Sequence, residues 1–278
     1  MSVRILTDST CDLPAEIISQ LGITVIPLYI HVNNQDLADG IDISREAFYQ
    51  KLPHFSQHPS TAVPSPAKFH AIYDALAEEG ASEILSIHIS ETLSAAVNVA
   101  RTAAAETTSV PVTVFDSRQL SLGTGFLVQT AAQMALAGKS VSEILPVLED
   151  QIQRTHVWAA LDTLHFLRRS GRMNGVISTI GDLLQIKPIL KMYAGVSGVE
   201  RVRTHRVAQA RLLEMLVILS PFERIGFLHS GTLEQALELR DKVRHLLPEK
   251  ETLFEMINPV LGVHIGPGVV GFACVSKE

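Results

Sequence analysis

Strand-like and helix-like periods alternate through the first half of this chain, and no other feature restricts its fold as much. Residues 3–6, 23–32, 83–89 and 110–115 are apolar runs of strand length, while helical periods occupy 14–21, 44–52, 66–79, 94–105 and 123–137. Repeated strand–helix units produce a mostly parallel sheet covered by helices on its faces. Residues 1–155 are therefore expected to form a three-layer α/β/α domain. Gly22, Gly80 and Gly138 each stand just past a helical period, the usual place for a C-terminal glycine. Residues 52–66 contain four prolines and read as an extended loop.

After a further helical period at 141–154 the pattern changes. The stretches "HVWAALDTLHFLRRSGRMNG" and "IGDLLQIKPILKMYAGVSGVERV" lead into a helix at 206–219, a strand at 224–229 and a helix at 232–247. Closing strands follow around "FEMINPV" and "GVVGFACV". Residues 156–278 are expected to form a smaller two-layer α+β domain with a mixed sheet. The chain as a whole reads as α/β with two domains.

Open parallel sheets bind ligands beyond the carboxyl ends of their strands. Three strand ends here carry small polar residues: 7–12 ("TDSTCD"), Ser90 with Thr92 and Ser94, and Asp116 with Ser117 and Ser121. Each alone is ordinary turn and capping chemistry. Three on one edge predict a hydrogen-bonding site. Ser94 stands where a strand gives way to a helix, so an anion beside it would meet unpaired helical N–H groups. Thr61 sits between prolines in the extended loop. His264 closes an apolar stretch ahead of the glycines of "HIGPG".

Charge narrows the partners. The formal net charge of −6 argues against nucleic acid. It is unevenly spread: residues 1–155 hold 8 basic and 17 acidic side chains, residues 156–278 hold 15 and 12. The segment 168–211 concentrates nine basic residues against Asp182 and Glu200. No apolar run approaches the roughly 18 residues of a membrane span, and the N-terminus shows no signal-peptide pattern. Cys11 and Cys274 have no metal-ligand spacing. These features predict a cytoplasmic protein without metal or cofactor.

Apparent catalytic motifs fail on context. "GPGVVG" matches a dinucleotide fingerprint but no helix or acidic residue follows it. "AGKS" lacks the first glycine of a phosphate loop, since Gln133 stands there. His54 and His58 are flanked by Pro53 and Pro59, which is incompatible with a zinc-binding helix. No nucleophile elbow is present. Asp8 opens a "DST" run without the second aspartate of a phosphatase pair.

An ordered set of motifs does stand out: "TDST" with "DLP", "STAVPSP", "ISETLS", "VFDSRQLSLGTG", "RRSGR", "IKPIL" and "HIGPG". With these the chain resembles the DegV family, including the fatty-acid-binding subunits of bacterial fatty acid kinase. The resemblance runs almost the whole length. It implies a long-chain fatty acid buried between the two domains. It also implies a non-catalytic acyl carrier that presents the carboxylate to a separate kinase subunit for acyl-phosphate formation. The family's carboxylate-binding hydroxyls fall on Thr61 and Ser94 and its histidine on His264, with Ser90 as a neighbour. Arg169 and Arg172 match the family's basic turn, suited to the acyl phosphate, the kinase or transient contact with an anionic membrane. The chain departs from the family at Ala62–Val63, where Ser-Gln is usual, and at Ala95–Ala96, where Gly-Thr is usual. Both departures remove polar groups or add methyls near the head-group.

Two other readings compete. One is a hydrolase or transferase using Asp8, Ser9 and Thr10 on a small phosphorylated or acyl substrate. The other is an interaction module using the basic face of 168–211.

Overall fold

The computed structural model describes residues 2–172, 186–249 and 252–277; residues 173–185, inside the basic segment, lie outside it. The chain opens with β1 (Val3–Asp8), α1 (Ala15–Gln20) and β2 (Thr24–Ile26). A small antiparallel unit follows, β3 (Tyr29–Val32) and β4 (Gln35–Ala38), then α2 (Arg45–Lys51) and β5 (Ser60–Ala62). Next come α3 (Pro66–Glu78), β6 (Glu83–His88), α4 (Ala96–Glu106), β7 (Val112–Asp116), α5 (Leu122–Leu136) and α6 (Val141–Arg154). The remainder is β8 (Thr155–Ala160), α7 (His165–Arg169), β9 (Lys187–Tyr193), β10 (Val196–Val202), α8 (His205–Leu219), β11 (Phe222–His229), α9 (Leu233–Lys242), β12 (Leu253–Met256), α10 (Pro259–Ile265) and β13 (Val270–Ser276).

The first sheet has the order β2-β1-β6-β7 and is parallel throughout. The second has the order β10-β9-β8-β13-β11-β12 and is mixed: only β11 and β12 run parallel. A third sheet, β4-β3-β5, is antiparallel. The expected α/β class and the parallel and mixed sheets are all present.

Helices α3 and α4 cover one face of the parallel sheet, with Phe69, Tyr73, Ala100 and Ala103 packed on Leu6 and Ile84. On the other face, α5 and α6 fill the space between the two large sheets; Phe126, Leu127 and Ile144 share one apolar cluster with Ile5 and Leu85 on one side and Val157 and Ala273 on the other. α5 is apolar nearly all round because both of its faces are buried. Gly125 permits this closeness: a Cβ there would stand 2.4 Å from the carbonyl oxygen of Cys11.

Four sequence expectations need correction. The run 23–32 is two strands in different sheets, separated around Pro27, whose missing N–H cannot extend a ladder. The loop 52–66 contains β5, so Thr61 belongs to a strand, paired opposite Ile30. Strand β4 was not foreseen; Asn33 and Asn34 make its hairpin turn, both at positive φ. Of "FEMINPV" only the first three residues are strand, as the end of β12. Asn258 caps a helix that Pro259 opens, so His264 lies on α10.

Candidate functional site

The carboxyl ends of β1, β6 and β7 do fall on one edge, as parallel neighbours must. Most of their polar residues serve the fold. Asp8 is fully buried and its two oxygens are saturated: one accepts from the Thr10 N–H at 3.1 Å and from the Thr10 hydroxyl, the other from His88 Nδ1 at 3.0 Å and the Ile89 N–H at 3.1 Å. Burial raises the Asp8 pKa, but the bonds from His88, Thr10 and Ile89 outweigh it and hold the carboxyl below its ordinary value. His88 Nε2 meets Ser86 Oγ at 2.7 Å, and Tyr73 donates to the same serine at 3.0 Å. Serine, histidine and aspartate thus align as in a nucleophilic triad. All three have no exposed surface, so no substrate reaches Ser86. Ser9 Oγ accepts from the Leu28 N–H at 3.2 Å. Asp8 is thus taken up by the fold, whereas Ser9 is half-buried and Thr10 lines the cavity described next.

A cavity of about 320 Å³ opens beyond this edge, between the parallel sheet, the mixed sheet and α10. Its wall is apolar over most of its extent; Ile89, Leu120, Val157, Met192, Leu228 and Leu261 represent the elements that contribute. Thr61, Ser94 and His264 line the same cavity. Thr61 Oγ1 and His264 Nε2 lie 3.2 Å apart, joining β5 to α10. Ser94 precedes α4 and its hydroxyl accepts from the Ala96 N–H at 3.2 Å. The departures Ala62, Val63 and Ala95 also face the cavity.

His264 is neutral at pH 7. Burial, with Arg172 and His58 nearby, pushes its pKa down to about 4. Burial beside Arg169 lowers His58 too. His264 Nδ1 is buried without a hydrogen-bond partner. A buried imidazole with an unused nitrogen is poised to accept a polar ligand group, since leaving it unmade is costly.

The remaining candidates separate. Arg172 is exposed and lines the cavity, its guanidinium donating to the Ser170 carbonyl at 3.1 Å. Arg169 is exposed at the end of α7 and does not line the cavity. Ser90 is fully buried behind the wall. Its hydroxyl lies 2.9 Å from that of Thr92, and its carbonyl accepts from the Leu93 and Ser94 N–H groups, so it shapes the loop that carries Ser94. Ser121, in sequence a strand-end hydroxyl, lines the cavity at φ +53° and donates to Asp12.

Among the described residues no group of three or more His, Cys, Asp or Glu side chains is arranged for a metal ion. None of the described helices is long and apolar enough to cross a membrane. Both cysteines are buried and unpaired, and burial raises both thiols.

Paired parallel and mixed sheets, with an apolar cavity and a hydroxyl–imidazole pair between them, define a two-domain α/β architecture. The chain belongs to the DegV family: the family described as "Uncharacterised protein, DegV family" matches residues 2–277. A DegV domain-containing protein of Deinococcus radiodurans is 39% identical over 278 residues, covering 98% of each chain. Among solved structures, a fatty-acid-binding DegV family protein from Thermus thermophilus superposes with a TM-score of 0.90 at 34% identity, covering 100% of both chains. DegV from Bacillus subtilis, described as a fatty acid binding protein, gives 0.91 at 27% identity, again over 100% of both.

Proposed function

We propose that this protein binds one long-chain fatty acid in the cavity, its carboxylate at Thr61, Ser94 and His264 and its tail along the apolar wall. The observation that carries the reading is the Thr61–His264 pair set in a mostly apolar cavity. A buried carboxylate needs hydrogen-bond donors to offset its desolvation. The Ser94 hydroxyl supplies one, and the Thr61–His264 pair, which spends one of its two hydrogens on its own bond, supplies another. The tail supplies the affinity, at about 0.8 kcal/mol per buried CH₂. For about a dozen methylenes that is roughly 10 kcal/mol gross, before the cost of association.

The fatty-acid-binding relatives support the lipid assignment, and the buried, saturated Asp8 supports a binding protein over an enzyme. We take the chain as two units, 1–155 and 156–278, with the lipid between them. The resemblance to fatty acid kinase subunits suggests that the carboxylate is presented to a separate kinase in the cytoplasm. Arg172 at the cavity is suited to the acyl phosphate; Arg169 is suited to the kinase or an anionic surface. Native and denaturing mass spectrometry of freshly purified protein tests the core of this. A long-chain fatty acid mass lost on denaturation is expected. Protein that arrives empty and then binds no added long-chain acid would refute it.

A further inference from the structure

A second cleft, of about 790 Å³, shares no lining residue with the lipid cavity. It lies between α1, the turn joining β4 to α2, and the carboxyl ends of β11 and β12. Its floor is charged. Asp12, Asp39, Glu46 and Glu255 line it with a single formal cation, Arg45. Arg45 is already committed: it lies 3.4 Å from Asp12 and 3.4 Å from Glu255, and it donates to the Met256 carbonyl. The cleft therefore sets four carboxyl groups against one formal cation.

Two buried polar atoms in this floor have no partner. Asp39 and His229 are each 5% exposed, and neither Asp39 Oδ2 nor His229 Nδ1 makes a hydrogen bond. They come from distant elements, the end of the β4 hairpin and the end of β11, and both line the same space. Native structures rarely leave such atoms unpaired without a ligand or water to serve them. The walls above are apolar, including Pro14, Ile18, Pro27, Leu233 and Phe254. A bare metal ion does not fit this setting, since no metal-binding cluster occurs among the described residues and an ion would leave the apolar walls unused.

We propose that this cleft is a second binding site, which takes a small alkylammonium compound, its charged nitrogen at Asp39 and Glu255 and its methylenes against the apolar walls. The site stands independently of the lipid reading. Two carboxyls register the missing charge. Burial, with Asp12 adding to it, raises both Asp39 and Glu255 to about 7. The charged groups acting on Asp39 are Asp8, Asp12 and Arg45; those acting on Glu255 are Arg45, Asp12 and Glu16; His229 feels Arg45 and Glu46. An ammonium favours the ionised carboxylates, so its binding releases protons and tightens as pH rises through 7.

Isothermal titration of the full chain with butane-1,4-diamine tests this, with butane-1,4-diol and magnesium chloride as controls. Saturable binding of the diamine alone is expected, strengthening about tenfold between pH 6 and pH 8. Asp39→Asn and Glu255→Gln should each weaken it about tenfold, while native mass spectrometry shows fatty acid retention unchanged. Thermal melts establish that each variant is folded. Should a variant fail to fold, the wild-type His229 ring resonances still decide, because the diamine must shift them. No saturable heat up to about 10 mM, equal binding by the diol, or undiminished binding in folded Asp39→Asn would each overturn the assignment.

Discussion

Asp12 and Asn258 stand 246 positions apart and are joined by two hydrogen bonds of 3.0 Å, from the Asn258 backbone N–H and side-chain amide to one Asp12 oxygen. The remaining oxygen of Asn258 caps α10, accepting from the Leu261 N–H at 2.9 Å. The polar turn after the first strand therefore fixes the start of the helix that carries His264. Asp12 also takes the Ser121 hydroxyl and faces Arg45.

Asp12→Ala should destabilise the protein by about 3 kcal/mol, because it leaves the buried Asn258 amide and the Ser121 hydroxyl unpaired and removes one of the two carboxylates beside Arg45. Urea unfolding measures this. A midpoint equal to wild type would mean that Asn258 is held by other contacts.

Removing the head-group contacts should act on binding more than on stability. Thr61→Val, Ser94→Ala and His264→Leu are each expected to weaken fatty acid binding by about 10-fold to 100-fold, the range of a hydrogen bond to a charged group. Displacement of a fluorescent fatty acid reads the effect. Ser90→Ala, behind the wall, should change affinity much less than Ser94→Ala; the reverse order would place the head-group elsewhere.

Gly266 ends α10 at φ +75°, and a Cβ there would lie 2.3 Å from the Phe166 ring. Gly266→Ala combines backbone strain with a clash and should cost about 2–4 kcal/mol. Thermal denaturation provides the comparison, and a loss below about 1 kcal/mol would show that α7 yields to make room.

Stability should carry a neutral-pH signature from Asp39 and Glu255. Their folded pKa values, about 7, lie above the unfolded values near about 4. Between these limits the folded protein holds protons that the unfolded chain has released. Their contribution is thus full below about 4, falls as pH rises, and is lost above about 7. His264 works in the opposite sense over part of this range, but equally in wild type and variant. The double variant Asp39→Asn with Glu255→Gln should therefore lose less stability than wild type between pH 5 and pH 8. Parallel urea midpoints for the two proteins would discount the two carboxyls.

How much was readable from sequence follows from the range of the interaction concerned. The parallel sheet was legible because its signals are local: apolar runs such as "EILSIH" alternate with helical periods such as 66–78. β4 was not, since "QDLA" has no β-branched residue and only the Asn33–Asn34 turn marks it. α10 hid in a uniformly apolar "PVLGVHI", because a helix buried on all sides has lost its amphipathic period; the Asn258–Pro259 start was the available sign. Thr61, Ser94 and His264 were reached through the ordered motifs, and the fold brings them to one cavity. Ser121, Asp12 with Asn258, and the Arg45 cluster depend on contacts across the chain that no local pattern encodes.

The Thr61–His264 pair joins residues separated by 203 positions, and this has a consequence for biosynthesis. Val63, Leu93 and Leu120 emerge from the ribosome well before Val157, Met192 and Leu261, which form the opposite wall. At about 5–20 residues per second, the interval between Leu120 and His264 is roughly 7–30 s. A nascent chain in that interval carries half of a greasy channel and no clasp to shut it. That open, apolar half-wall is the surface that a ribosome-associated chaperone would need to shield.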